Sequence, residues 1–97
     1  MDQPSYVYIM ASKPYGTLYT GVSTDLVRRV WEHREEFLEC FTSTYHVHRL
    51  VWYEIHGDVM EAVAREKRIK KFKRAWKISL ISKSNPTWRD LYADFTA

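Results

Sequence analysis

The sequence predicts an α+β fold in which helices pack on an antiparallel sheet, and three features predict it. Runs rich in β-branched and aromatic residues recur as short strands. A turn with proline and glycine joins the first two as a hairpin. The remaining segments carry apolar residues at helical spacing behind side chains able to cap a helix start. At 97 residues the chain is expected to form one domain over residues 1–97, because so short a chain cannot enclose two independent hydrophobic interiors.

Tyr6 to Met10 reads as the first strand. Lys13, Pro14, Tyr15 and Gly16 supply the turn, proline fixing one dihedral and glycine permitting a positive one. Thr17 to Gly21 is the second strand of an antiparallel hairpin. Ser23, Thr24 and Asp25 each offer a side-chain oxygen to free backbone amides, so a helix is expected from here to about Phe37 or Leu38. Leu26, Val30 and Phe37 form its apolar stripe, with Val27 and Trp31 widening it. The segment FTSTYH reads as a loop before a third strand, Arg49 to Ile55. Gly57 ends that strand, and Asp58 with Glu61 three residues on has the capping-box pattern of a second helix. A break near Phe72 to Arg74 sets off a third helix containing Ile78, Leu80 and Ile81. Asn85 then falls at an N-cap, with Pro86 as the first residue of a short helical tail.

An apolar share of 45% and an aromatic share of 15% exclude disorder. Fifteen Lys and Arg against 12 Asp and Glu give a net charge of only +3, but the distribution is uneven. From Arg65 to Lys77, REKRIKKFKRAWK holds Arg65, Lys67, Arg68, Lys70, Lys71, Lys73, Arg74 and Lys77 against the single acid Glu66. Cations interleaved with Phe72 and Trp76 suit a polyanion such as nucleic acid, although charge alone equally allows a solvated helix face. The lone Cys40 offers no internal disulfide and no zinc pattern, which makes a reduced, cytoplasmic setting the expectation. MDQPSYVYIM lacks a basic leader with a long apolar core, so no signal peptide is expected, and no run reaches the length of a membrane span.

Function shows first where the pattern breaks. At about 100° per residue, Val59, Ala62, Val63 and Ile69 share one face of the second helix, and Glu66 falls near its centre. A carboxylate turned toward the sheet needs a metal, a cation or a proton, because an unpaired buried charge is strongly unfavourable. A salt bridge to a nearby arginine would also satisfy it. On the first helix, Arg29 and His33 project from the margin of the apolar stripe, whereas Arg28 points outward. Together with Tyr8 and Tyr19 on adjacent strands, these residues supply the parts for phosphodiester cleavage: a base for water, a cation for developing phosphorane charge and a metal for the leaving oxygen.

On these residues the sequence resembles the GIY-YIG nuclease superfamily, and within it the small single-domain bacterial members of the UPF0213-like type. YVYIM stands at the first motif and LYTG at the second, and Arg29 of DLVRRVWEH lies ten positions after Tyr19. EAVAREKRIKK resembles the helix carrying the family's metal-binding glutamate, which falls on Glu66. FTSTYHVHRLVWYE and NPTWRDLY extend the resemblance over nearly the whole chain. The resemblance implies a three-stranded antiparallel sheet flanked by helices, and hydrolysis of DNA with one divalent ion, magnesium or manganese. It implies that Glu66 ligates the metal, that Arg29 contacts the scissile phosphate, and that Tyr19 or Tyr8 activates or positions water. His33 stands where members carry a polar proton-handling residue. Tyr6 and Val7 replace the Gly and Ile of the first motif and Thr20 the Ile of the second, all at backbone or packing positions. Asn85 is a candidate for the family's C-terminal asparagine, although capping also accounts for it.

A phenol with a pKa of about 10 is ionised in only about one molecule in a thousand at neutral pH, so cations near Tyr8 and Tyr19 would assist both substrate and base. His33, with an ordinary pKa near 6.5, can share that role, and the choice among the three stays open. His46 and His48 lack a third ligand and read as loop residues. Trp52 and Tyr53 read as sheet packing. Lys67, Lys70, Lys71, Lys73 and Arg74 are assigned to phosphate-backbone contacts, which position a nuclease without reading sequence. The expected function is a metal-dependent DNA endonuclease. The alternatives are a nucleic-acid-binding module with a weak or silent nuclease site and an interaction domain for a protein partner. With no second domain to choose a target, weak binding with little sequence preference, or a protein partner for targeting, is expected.

Overall fold

The computed structural model describes residues 3–35 and 45–96. Among these, strands β1 (Ser5–Ala11), β2 (Leu18–Ser23) and β3 (Arg49–His56) and helices α1 (Leu26–Arg34), α2 (Val59–Lys70), α3 (Arg74–Ser84) and α4 (Ala93–Thr96) follow the expected order. The expected far end of the first helix with Phe37, the residue Cys40 and the start of FTSTYH lie outside the described residues.

The sheet is three-stranded and antiparallel in the order β2-β1-β3. β1 is central and buried on both faces, which is why Val7 to Ala11 reads as an unbroken apolar run. Its alternation divides the molecule. Val7, Ile9 and Ala11 pack with Ala62 of α2, Ile81 of α3 and Trp88, whereas Tyr8 and Met10 pack on the opposite face with Leu26 and Val30 of α1. Ile9 pairs with Trp52 and Met10 with Leu50, so Val51 is an extra residue at a bulge. The bulge lets consecutive residues Val51 and Trp52 enter the same core.

The hairpin turn closes through Gly16 N–H donating to the Lys13 carbonyl at 2.9 Å. The positive dihedral expected of Gly16 falls on Tyr15 instead, at φ 59°. Glycine is required at 16 for space, since a Cβ there would lie 2.4 Å from Ser12 Oγ. Asp25 caps α1 by accepting from Arg28 N–H at 3.3 Å, and Asp58 caps α2 by accepting from Met60 N–H at 3.0 Å.

Three expectations are corrected. Val27 and Trp31 do not widen the stripe of α1: both are exposed, and His33 is buried instead. On α2, Ala62 and Ile69 are buried, but Val59 at the first turn projects into solvent. Asn85 does not start a helix. It ends α3 as its C-cap, and the tail helix begins only at Ala93. The reason lies in the asparagine's amide, whose Nδ2 donates to the carbonyls of Val51 at 3.0 Å and Arg89 at 2.9 Å while Oδ1 accepts from Arg89 N–H. A buried amide with these bonds ties the chain end to β3 and leaves Pro86 in a turn. No helix among the described residues is long and apolar enough to cross a membrane.

Candidate active site

The register of β1 and β2 sets the two phenols side by side. Tyr8 pairs with Gly21 and Met10 with Tyr19, so both tyrosines share the face covered by α1, their rings 6.3 Å apart. From α1, His33 enters the same cluster, 5.2 Å from the Tyr19 ring, with its Nε2 3.1 Å from the Tyr8 hydroxyl. Tyr8 and His33 are each 1% exposed, whereas Tyr19 is partly exposed. Tyr8 can lie here only because residue 21 is glycine. A Cβ at that position would sit 2.5 Å from the Tyr8 hydroxyl oxygen and 2.6 Å from Cζ.

Arg29 lies one helical turn before His33. Its Nε is 3.4 Å from Glu32 Oε1, and its side chain is 41% exposed, against 74% for Arg28. With Ser23, Thr24, Asp25, Arg28 and Glu32 it lines an open cavity of about 270 Å³ ahead of α1. Burial first, then the Arg29 charge, lowers His33 from 6.5 to about 4, with Glu32 pulling the other way and His48 adding to the depression. The imidazole is therefore neutral at physiological pH.

Glu66 comes from the other side. Its helix, α2, packs on the face of the sheet opposite the tyrosines, against β1 and β2, and β2, the strand bearing Tyr19, is an edge strand. The expected inward turn of Glu66 is present: its side chain is 13% exposed, with Oε1 3.1 Å from Lys70 Nζ. Among the described residues no three His, Cys, Asp or Glu side chains converge as a metal cluster. A single inward carboxylate still suits magnesium or manganese, which keep several waters and take one or two carboxylates plus substrate phosphate oxygens.

The basic stretch divides by partner. Arg65 binds Glu54 at 3.1 Å, Lys70 binds Glu66, and Arg74 Nη2 donates to the Tyr15 and Gly16 carbonyls at 2.6 and 2.7 Å. Lys67, Lys71 and Lys73 are exposed. Trp52 is buried, Tyr53 packs against Tyr6 and Phe95, and His46 meets His48 edge to face in the loop before β3. Sequence reasoning passed over Gly21 and Glu32 and read His48 only as a loop residue. A glycine inside a strand is a signal of close approach, and Glu32 stands at helical spacing from Arg29. The proximity of His48 to His33 depends on tertiary folding and has no local signal.

The family model described as the GIY-YIG catalytic domain matches residues 4–81. A UPF0213 protein of Staphylococcus saprophyticus is 36% identical over 77 residues, 79% of this chain and 93% of that protein. One from Desulfotalea psychrophila is 30% identical over 92 residues, 94% of this chain and 84% of that one. The solution NMR structure of a UPF0213 protein from Bacillus halodurans superposes with a TM-score of 0.56 at 29% identity, covering 90% of this chain and 92% of that chain.

Proposed function

The chain belongs to the GIY-YIG catalytic domain family, a family of nucleases, and from that premise we propose that it is an endonuclease hydrolysing phosphodiester bonds in DNA with one divalent ion, magnesium or manganese. The observation that carries this reading is the convergence of Tyr8, Tyr19, His33 and Arg29 from two strands and one helix. In this reading Tyr19, the more accessible phenol, meets the attacking water. Tyr8 shares a hydrogen bond between its phenol oxygen and Nε2 of neutral His33, which holds the hydroxyl in place beside Tyr19. The Arg29 guanidinium takes the scissile phosphate and stabilises charge developing on it, while Glu32 holds Arg29 Nε in position. Glu66 is the protein ligand for the ion, which when bound would stabilise the leaving oxygen as a Lewis acid. Lys67, Lys70, Lys71, Lys73 and Arg74 contact the DNA backbone, Arg74 through atoms other than the Nη2 that holds the turn.

One observation favours the second reading, a DNA-binding module with a silent site: Lys70 already neutralises Glu66. Cleavage of nicked, branched, single-stranded and duplex DNA with magnesium or manganese separates the two. Wild type should cut, and Arg29→Ala and Glu66→Ala should each lose about two orders of magnitude or more. Wild type cutting no better than both variants, while all three bind DNA alike, would leave the binding module in its place.

A further inference from the structure

We propose that Trp76 is a stacking platform for an unpaired base, so that the DNA this domain takes carries a single-stranded segment. The inference rests on the DNA-cleaving reading above and specifies its substrate class. Trp52 and Trp88 are buried, but Trp76, in the first turn of α3, is 57% exposed. Its ring is held in place. Phe72, itself packed against the core, meets it edge to face at 5.6 Å and 79°, which reduces the rotamer freedom to be lost when a base stacks on the exposed part of the indole.

The surroundings select the occupant. Lys73 Nζ lies over the Trp76 ring, 6.0 Å from its centroid, so a base stacking on that side displaces the ammonium on its flexible stem; Lys71, Arg74 and Lys77 flank the ring in sequence, and no acid occurs from Lys67 to Lys77. An aromatic face set among cations matches a polymer that is apolar on its base faces and anionic along its backbone. The corner is also rigidly tied to the β1–β2 turn by the two hydrogen bonds of Arg74. A paired duplex stacks its bases on one another and presents only phosphates to such a corner. Only an unpaired strand can use the indole as well as the lysines.

The test is fluorescence anisotropy of an end-labelled oligonucleotide, alone or annealed to its complement, titrated with the full chain in EDTA so that cutting does not intervene. Trp76→Ala should weaken single-strand binding about ten-fold and duplex binding less than about two-fold, with Trp76→Phe keeping most of the affinity. Lys73→Ala should weaken both forms and flatten the log–log salt dependence on the single strand by about 0.7. If the alanine variant fails to fold, Trp76→Leu, which keeps apolar contact with Phe72 but has no ring to stack, replaces it. Equal losses on the two DNA forms, or none on either, overturn the proposal. If these appear while wild type cuts and Glu66→Ala does not, the nuclease reading survives alone. Selective loss of strand binding in a protein that never cuts leaves the stacking platform and removes the nuclease.

Discussion

The two faces of the sheet draw on the same central strand and differ in kind. Val7, Ile9 and Ala11 enter a core of aliphatic side chains and tryptophan, where volume and shape decide stability. Tyr8, one position out of phase, enters a cluster with Tyr19 and His33 in which nearly every ring carries a polar atom requiring a partner. Because side chains alternate with a period of two, one strand serves both purposes, and a one-residue slip would exchange them. The lesson is that the close-packed core around Val7 and Ile9 and the tyrosine–histidine cluster are separated by the thickness of a β-strand, so substitutions in the two clusters should fail in different ways.

The largest effect is expected on the dry face. Trp88 is fully buried, with Nε1 donating to Ser82 Oγ at 3.0 Å. Trp88→Ala should cost about 3–5 kcal/mol in urea unfolding, while DNA cleavage by the fraction that remains folded is unchanged. On the polar face the order reverses. Tyr8→Phe keeps the ring and should cost about 1 kcal/mol of stability yet about two to three orders of magnitude in cleavage. Gly21→Ala, which adds no polar group and removes none, should reproduce the loss of cleavage by driving the phenol off His33. A Gly21→Ala protein that cuts like wild type would show that the Tyr8–His33 contact has no part in the chemistry.

His33 sharpens the contrast through pH. Its folded pKa of about 4 lies below its ordinary 6.5, so between these values the unfolded chain binds a proton that the folded protein refuses. Stability therefore falls as pH drops from about 6.5 to about 4, by an amount on the order of 3 kcal/mol, and this contribution levels off below. His33→Gln should remove that slope from a series of urea midpoints. The cleavage rate of wild type should likewise lack an inflection from His33 near 6.5. A full slope retained in His33→Gln would assign the acid sensitivity to other groups.

Much of this was legible in the sequence because its signals are local. A run of β-branched and aromatic residues marked β1, the cluster Ser23, Thr24 and Asp25 and then Asp58 marked the helix starts, and the misfit of Glu66 in its stripe indicated a shielded carboxylate. What was illegible depends on the third dimension. Asn85 and Pro86 have the chemistry of a helix start, but Asn85 Oδ1 accepts from Arg89 N–H while Nδ2 donates to the carbonyls of Arg89 and of Val51 on β3, so the side chain fixes a turn instead. Val27 and Trp31 satisfy the helical period of an apolar stripe, yet the sheet is met by Leu26, Val30 and His33. Neither period nor composition could place the helix of Glu66 on the face of the sheet opposite the tyrosines, because that follows from how the helices pack on the sheet.

The smallest effect bears on that separation. Lys70 Nζ holds Glu66 Oε1 at 3.1 Å, with the lysine side chain 52% exposed. A pair whose lysine is half exposed contributes about 1 kcal/mol or less, so Lys70→Ala should change the urea midpoint only slightly. A divalent ion seeking Glu66 must compete with the ammonium, and removing it should raise manganese affinity by about three-fold, equivalent to less than 1 kcal/mol. Titration calorimetry without DNA reads this directly, with Glu66→Ala as the variant expected to abolish binding. Lys70→Ala should meanwhile weaken DNA binding in EDTA slightly, since one backbone cation is lost. Manganese affinity unchanged in both variants would remove Glu66 as the ligand, and the two faces would then have no shared chemistry across β2.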